Sequence, residues 1–123
     1  MSKFIPNSYQ LPNAYVDEYM ALLTPEEWMV LTYMARRILG FHKSADRISI
    51  SQLANGITAA DGRQLDNGTG LGRGAIIKAL AVLRDSGLII VANEQRGSTE
   101  APLYSLQWES EQVDRAKLEQ RAD

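Results

Sequence analysis

Apolar side chains recur every three or four residues along two long stretches of this chain, the spacing of a buried helical face. The first stretch follows Thr24-Pro25-Glu26-Glu27, where a threonine N-cap, a proline at the first helical position and a later glutamate form a capping box. We predict a helix from there to about Leu39, ended by Gly40. The apolar positions surround most of this helix and place it at the centre of the fold: Trp28, Val30, Leu31, Met34, Ala35 and Ile38.

The second stretch, GLGRGAIIKALAVLRDSGLI at residues 70–89, predicts a helix, a stop and a strand. Ser86-Gly87 ends the helix because glycine readily adopts the left-handed conformation found at helix ends. Residues 88–91 then form a short apolar strand. One side of the helix carries Ile76, Ala79, Leu80 and Leu83 for the core, and the other carries Gly74, Lys78 and Asp85 for a partner.

Two shorter helices are predicted before this point. Asn13 is expected to cap the first of them, in which Val16, Met20 and Leu23 share the face that packs on the domain. Further along, residues 47–50 alternate like a brief strand. Ser49 with Gln52 forms a second capping box, so a short helix through residues 53 and 54 follows.

The segment between Asn55 and Leu71 separates two helices that are joined by about three or four residues in a minimal helix-turn-helix. Six of the nine glycines lie between residues 56 and 74, and Asp61-Gly62 and Asn67-Gly68 are strong turn formers. We therefore predict an insertion in the turn that forms a small hairpin, turning at Asp61-Gly62.

The rest of the chain predicts a two-stranded wing and a tail. Polar residues 93–102 separate the strand at residues 88–91 from an alternating apolar run at residues 103–108, and Arg96 lies at the tip between them. From Ser110 onward only Val113, Ala116 and Leu118 are available to bury. A surface helix, a partner helix and a frayed end all fit that pattern.

Three helices, a strand before the second and a wing after the third together predict a winged helix-turn-helix. The fold class is mainly α with a small antiparallel β wing, and it has an insertion between the second and third helices. We predict an N-terminal extension with a short helix over residues 1–23, the winged-helix domain over 24–108 and a C-terminal helical tail over 109–123.

Composition excludes several classes of function. The chain has no cysteine and its one histidine, His42, cannot form a histidine-based metal site alone, so disulfides, thiolate nucleophiles and zinc fingers are ruled out. We expect no catalytic residue, metal or cofactor, and so no enzyme. No apolar run approaches the roughly 20 residues that span a bilayer, and the N-terminus lacks the apolar core of a signal peptide. We expect a cytoplasmic protein that makes no membrane contact.

The net charge is −2, yet the cations are concentrated in the middle of the chain. Residues 35–47 carry four cations against Asp46 alone, whereas both ends are acidic. Distribution matters more than the sum, and a basic middle suits a nucleic-acid partner. Residues 70–75 also match the glycine pattern of dinucleotide-binding folds, but no predicted strand precedes them and the chain is too short for a doubly wound sheet, so we reject that hypothesis.

Residues 11–53 resemble the N-terminal DNA-binding domain of the phage replication protein O family. The segments that carry the resemblance are Pro12-Asn13, Asp17, Leu23-Thr24 with Glu27, Arg37 to Lys43, and Asp46 to Leu53; it resumes at Gly70-Leu71 and covers residues 11–91. The resemblance implies a replication initiator that binds repeated sites at an origin and helps recruit helicase-loading or other replisome proteins. Gly72 stands where the family commonly has a serine or threonine that caps the recognition helix.

We therefore predict double-stranded DNA as the partner. The predicted contacts are Arg73, Gly74, Ile77 and Lys78 on the recognition helix, Arg63 and Thr69 in the insertion, and Arg96 on the wing, with Arg36, Arg37, Lys43, Arg47 and Arg84 as further candidates for phosphate contact. A winged-helix transcriptional regulator and a protein-interaction module of a replisome are the alternatives. A homodimer through Val113, Ala116 and Leu118 is left open.

Overall fold

The computed structural model describes residues 5–92 and 100–121. Over these residues it contains four α-helices: α1 (Pro25–Ile38), α2 (Ile50–Asn55), α3 (Arg73–Asp85) and α4 (Arg115–Gln120). Three short strands accompany them: β1 (Asp46–Arg47), β2 (Ile89–Val91) and β3 (Leu103–Leu106). A π-helical turn at Tyr15–Tyr19 continues into a 3-10 turn at Met20–Leu22, and another 3-10 turn spans Leu39–Phe41. No helix among the described residues has the length and apolar content needed to cross a membrane.

Both predicted capping boxes are confirmed. At the start of α1 the Glu27 amide donates to Thr24 Oγ1 over 3.2 Å, and the Thr24 amide donates to Glu27 Oε1 over 2.9 Å. Ser49 and Gln52 make the same reciprocal pair at the start of α2. Each box satisfies two amide groups that the first turn of a helix leaves without intrahelical partners.

The end of α1 differs from the prediction, because Gly40 is not the residue that reverses the chain. The helix tightens into the 3-10 turn, and His42 adopts the left-handed conformation with φ 56°. The His42 amide donates to the Leu39 carbonyl and the Lys43 amide donates to the Ile38 carbonyl, which is the hydrogen-bond pair of a Schellman ending. The chain therefore leaves α1 at Lys43 and turns toward β1.

The core lies where α1 meets α3 and the sheet. The apolar stripes predicted for the two helices are largely confirmed, although Trp28 and Leu80 are only partly buried. Ile48 leads from β1 into the core, where α2 contributes Leu53. The fully buried side chains of α1 and α3 are Val30, Leu31, Met34, Ala35, Ile38, Ile76, Ala79 and Leu83.

The strands form one antiparallel sheet in the order β1-β3-β2. Ile89 pairs with Leu106 and Val91 with Tyr104, so β2 and β3 are the two sides of the predicted wing. Strand β1 pairs across β3 through Asp46 and Tyr104, and it is shorter than predicted because Ser49 already caps α2. The predicted tip residue Arg96 lies outside the described residues.

The N-terminal segment packs on the core with a different face from the one predicted. Of the predicted face, Val16 and Met20 are exposed and Leu23 is partly buried against the core, whereas Tyr15 and Tyr19 are fully buried. Their hydroxyls donate to the carbonyls of Gln107 and Trp108 over 3.3 and 3.2 Å. Two tyrosines bury more apolar area than the predicted aliphatic side chains, and each hydroxyl finds an acceptor just beyond β3, so this face is favoured.

The C-terminal tail is part of the same packed structure. Val113 and Leu118 are buried and Ala116 is exposed, so two of the three residues considered for a dimer seam are covered by the chain itself. Gly87 has φ 84°, and a Cβ there would lie 2.8 Å from the Gln112 carbonyl oxygen. The tail therefore approaches the end of α3 as closely as backbone permits.

Candidate nucleic-acid interface

Helix α3 presents one exposed face across its full length. Ile76, Ala79 and Leu83 are buried and Leu80 and Val82 are partly buried, whereas the exposed side carries Gly74, Ile77, Lys78, Ala81 and Arg84. At 3.6 residues per turn, Gly74 and Ala81 lie along the middle of that face, with Asp85 at its C-terminal end. Ile77, Arg73 and Arg84 lie toward one border and Lys78 toward the other. The first two turns therefore have a centre without bulky side chains, and cations lie toward both borders.

The cations of this face are not paired with acids. Across residues 5–92 and 100–121, the side chains of Arg73, Lys78 and Arg84 make no ion pair or hydrogen bond. Asp85 is the one acid of α3, and Lys117 Nζ lies 3.2 Å from its Oδ1. Since that lysine offsets the Asp85 charge, the exposed face of α3 remains positive.

The beginning of α3 carries no side-chain cap. Gly72 occupies the N-cap position with φ −73° and ψ 161°, and it has no side chain to accept the first-turn amides. A Cβ placed at Gly72 would find open space, so the absence of a side chain there is not required by close contacts. The amide groups of the first turn and the positive end of the helix dipole are consequently available to an anion beside Arg73.

The predicted hairpin in the insertion is confirmed. Thr58 and Gln64 form an antiparallel bridge, and the Ala59 amide donates to the Arg63 carbonyl over 2.7 Å. Asp61 closes the turn by accepting from the Arg63 amide over 3.0 Å. The Arg63 side chain is exposed at the tip and has no ion-pair partner in the described part of the chain.

The hairpin returns to the body of the protein through Asp66 and Thr69. Tyr33 on α1 donates its hydroxyl to Asp66, with 3.0 Å to Oδ1 and 3.1 Å to Oδ2. Thr69 is half-buried, donates its hydroxyl to the Leu53 carbonyl over 2.7 Å and accepts from the Leu71 amide. Thr69 was predicted to contact DNA, but these bonds use its hydroxyl to join the insertion to the end of α2.

Burial raises the pKa of Tyr33, a hydrogen bond from Arg37 opposes that rise, and the neighbouring Asp66 carboxylate adds to it. The net result is a pKa above the ordinary value, so the phenol keeps its proton and remains a donor to Asp66 at neutral pH. Sequence patterns gave no indication of this contact, because the two residues are 33 positions apart and pair only in the folded chain.

Two glycines allow the ends of the insertion to touch. Gly56 and Gly68 both have positive φ, at 84° and 67°. A Cβ at Gly56 would lie 2.0 Å from the Asp66 carbonyl oxygen, and one at Gly68 would lie 2.5 Å from the Gly56 amide nitrogen. Only glycine permits so close a backbone approach.

Arg37 was predicted to be a candidate for phosphate contact, and the structure contradicts that prediction. Its side chain is buried, with Nη2 lying 3.1 Å from Asp46 Oδ2 and donating to the Arg47 carbonyl. The Nη1 group reaches Tyr33 and Gln52. Arg37 therefore links α1 to α2 and β1 and is turned away from solvent.

The other candidates for phosphate contact differ in whether their side chains already form ion pairs or hydrogen bonds within the protein. Arg47 donates to the Ala101 carbonyl over 2.8 Å and pairs with Glu100 over 3.2 Å. Lys43 pairs with Asp46 over 3.4 Å. Arg36 is exposed and lies against aromatic rings, and Arg84 is exposed on α3.

Comparison with protein-family models, with curated proteins and with solved structures gave no significant match for this chain. The described residues also contain no group of three or more histidine, aspartate or glutamate side chains placed to hold a metal ion.

Proposed function

We propose that this protein binds double-stranded DNA, with the exposed face of α3 in the major groove. The observation that carries the proposal is the state of that face: its cations are unpaired among the described residues, while its one acid is offset by Lys117. The order of helices and strands, and the three-stranded sheet β1-β3-β2, support a winged helix-turn-helix with a hairpin inserted before α3.

The dimensions and chemistry of α3 fit this role. The major groove is about 12 Å wide and admits a helix of roughly 10–12 Å diameter. Gly74 and Ala81 lack bulk, so the helix can approach the bases closely, and Ile77 offers an apolar surface to thymine methyl groups. Arg73 and Lys78 are the donors available for guanine or phosphate oxygens. Few side chains of this face can make base-specific hydrogen bonds, so backbone contacts supply most of the affinity.

Phosphate contacts are proposed on both sides of the helix. The uncapped first turn of α3 and Arg73 form an anion site at its N-terminus. Arg63 lies at the tip of a hairpin that leaves the end of α2 and returns to the start of α3. Arg96 on the wing remains a predicted contact. Arg63 and the N-terminus of α3 would then position a duplex through its phosphates, without reading its sequence.

We further propose a role in replication initiation of the phage or plasmid type. The support is the resemblance of residues 11–91 to the DNA-binding domain of the phage replication protein O family. Such an initiator binds a site that recurs as closely spaced repeats, whereas a transcriptional regulator of the same fold binds an operator-like palindrome. Selection of bound duplexes from a random pool distinguishes the two: repeats or single asymmetric sites support initiation, and enrichment of palindromes contradicts it.

Duplex binding is tested by fluorescence anisotropy with a labelled 20-base-pair duplex over a range of salt concentrations. The double variant Arg73→Ala with Lys78→Ala is expected to bind at least about tenfold more weakly and to lower the slope of log K against log salt by about two, because two cations leave the interface. Arg115→Ala removes one exposed cation from α4, so it is the charge-matched control for each single variant, Arg73→Ala or Lys78→Ala, and is expected to bind as the wild type. No duplex binding by the wild type at micromolar protein and low salt contradicts the proposal.

The exposure of Ile77 favours a second candidate, a module that binds another protein through α3. Its side chain is 44% exposed on the same face as Gly74 and Ala81, where it could serve as an apolar anchor for a protein partner. Under this hypothesis Ile77→Ala weakens partner binding while Arg73→Ala and Lys78→Ala leave it unchanged. Under the DNA-binding proposal the two basic residues matter more than Ile77.

A further inference from the structure

A cleft of about 430 Å³ lies between the N-terminal segment and the end of α1. It is lined by Ser8, Tyr9, Gln10, Leu39, His42 and Lys43. Its volume is within the roughly 300–1,000 Å³ of sites that hold small ligands. No residue of α3 or of the inserted hairpin lines it, so any ligand here is bound by a different surface from the proposed duplex site.

Arg36 stands beside this cleft in an unusual setting. Its guanidinium carbon lies 4.4 Å from the centroid of the Phe41 ring and 6.0 Å from that of Tyr9. Cation–π contact with two rings holds the side chain in place, yet its N–H groups donate to no acceptor among the described residues. The guanidinium is thus oriented before any ligand arrives, with its donors free for a phosphate.

Gly40 makes this arrangement possible. A Cβ on Gly40 would lie 2.5 Å from Arg36 Nη1 and 3.1 Å from its Cδ, so the arginine lies across the one position in the turn that has no side chain. Gly40 was predicted from the sequence to end α1. In the structure its role is to leave room for the Arg36 side chain, because it has no Cβ. Its backbone does not adopt a left-handed conformation.

Aromatic surface and positive charge also occur together next to the cleft, at Phe41, which lies between the lining residues Leu39 and His42 in the chain. Phe41 is 55% exposed, although a ring of that size is ordinarily buried. Lys43 Nζ lies 5.9 Å from the Phe41 centroid. The carboxylate paired with Lys43 is Asp46, whose second oxygen pairs with Arg37, so one acid is shared by two cations and Arg36 adds a third positive charge. The local charge is positive.

From this combination we propose that the cleft and the exposed Phe41 ring next to it bind single-stranded nucleic acid, with a base stacked on the part of the ring that Arg36 leaves exposed and the adjoining phosphate held by Arg36 and Lys43. Aromatic rings interleaved with cations are the chemistry with which proteins hold unpaired nucleotides. A duplex keeps its base faces stacked on one another, so a ring that stacks on a base requires an unpaired one. The proposal is independent of duplex binding by α3, since the two sites share no residue.

The test uses the full chain, with a fluorescein-labelled thymidine 12-mer as the single strand and anisotropy as the measurement. Phe41→Ala is expected to weaken binding at least about fivefold, because one stacked base is lost. Phe41→Tyr is expected to retain the affinity and Phe41→Leu to lose it, since leucine is apolar but offers no ring face. Val16→Ala, which shortens another exposed apolar side chain, is the control and is expected to bind as the wild type.

A second variant tests the placement of Arg36 without changing the charge. Gly40→Ala is expected to displace the guanidinium and weaken single-strand binding, and Arg36→Gln is expected to weaken it further. Thermal melting confirms that each variant is folded. Wild-type affinity in both Phe41→Ala and Arg36→Gln overturns the proposal.

Two further outcomes also overturn it. In the first, thymidine monophosphate displaces the labelled 12-mer as effectively as unlabelled 12-mer does at the same phosphate concentration, which assigns the cleft to free nucleotides. An equal loss of duplex binding in Phe41→Ala makes the cleft part of the duplex site. Arg73→Ala with Lys78→Ala tests duplex binding alone, and Phe41→Ala and Arg36→Gln test single-strand binding alone. Either proposal can therefore fail while the other stands.

Discussion

At the scale of single residues, the chemistry of this protein depends on which charges are already paired. Arg37 and Arg47 are cations in the same basic stretch as Arg36, but the first is buried and the second pairs with Glu100. Sequence alone ranks these residues together, since it shows charge and not partners. The distinction between structural and available cations therefore comes from the fold.

Arg121 provides a residue-scale prediction about stability. Glu27 is 5% exposed, and Arg121 Nη1 donates to its Oε2 over 2.7 Å while Nη2 bonds to its Oε1. Burial alone would raise the pKa of Glu27, but hydrogen bonds from Arg121 and Thr24 outweigh burial and hold that pKa below its ordinary value of 4.5. The ionised carboxylate consequently favours the folded state.

The variant Arg121→Ala is expected to lose about 1–2 kcal/mol of unfolding free energy at neutral pH, because the buried Glu27 carboxylate loses both guanidinium donors. The loss is limited to this range because the Arg121 side chain is itself partly exposed to solvent. The folded-state pKa is lowered, so this contribution is complete above about pH 4.5 and is lost as pH falls through the folded-state pKa. Urea unfolding of both proteins between neutral and acid pH measures it. A difference that stays constant as the pH falls contradicts the account. Arg115→Ala breaks two exposed ion pairs, with Glu119 and Glu18, and is expected to cost under about 1 kcal/mol.

At the scale of elements, local sequence rules predicted most of the fold. Both capping boxes, the α1 and α3 stripes and the hairpin turn depend on residues a few positions apart, so a sequence pattern contains the whole cause. The face of the N-terminal segment was predicted wrongly. Burial of Tyr15 and Tyr19 depends on carbonyls about 90 residues away, which no local pattern contains.

The proposed sites likewise include features that follow from local sequence and features that depend on contacts between distant parts of the chain. The exposed face of α3 follows from helical period, and the hairpin follows from its turn residues. The Tyr33 contact that seats the hairpin and the aromatic contacts of Arg36 depend on tertiary placement. Phe41 is the residue that sequence reasoning passed over, since an aromatic residue after a long apolar helix is ordinarily taken as core.

The inserted hairpin packs on the end of α2 through a close backbone contact at Gly68, and this contact can be tested. Gly68→Ala places a Cβ against backbone atoms of residues 54 and 56 at 2.5–2.9 Å, in addition to the strain of a positive φ. We expect a loss of about 2–4 kcal/mol in unfolding free energy and faster proteolytic cleavage of the insertion. Gly62→Ala has a similar φ of 89° but open space around its Cβ, so it isolates the strain and is expected to cost about 1–2 kcal/mol. Equal effects in the two variants contradict the close contact.

At the scale of the whole molecule, the N-terminal segment packs against the C-terminal tail, so acidic residues of both lie close together. Arg115 lies 3.9 Å from Glu18, and both Glu18 and Glu111 raise the pKa of Tyr19 after burial has raised it. Tyr15 and Tyr19 bind the segment that follows β3. The net negative charge of the chain therefore coexists with a positive face on α3.

Removal of the tail after Trp108 is a whole-molecule prediction. The truncation exposes core that Val113 and Leu118 cover, and it leaves Glu27 without Arg121, so we expect at least about 3 kcal/mol of lost stability. Light scattering is expected to give a monomer for the full chain, because two of the three residues of the considered seam are already buried. A full-length dimer that becomes a monomer on truncation contradicts this account.

Whether α3 is the DNA-binding helix can be measured by mapping backbone amide chemical shifts while the full chain is titrated with a 20-base-pair duplex. We expect the largest changes at residues 72–81, further changes at the hairpin tip around Arg63, and no change above the noise at the backbone amide of Arg37, whose side chain is buried. Changes confined to the terminal segments, with α3 unaffected at saturating duplex, would contradict the assignment of α3 as the DNA-binding helix.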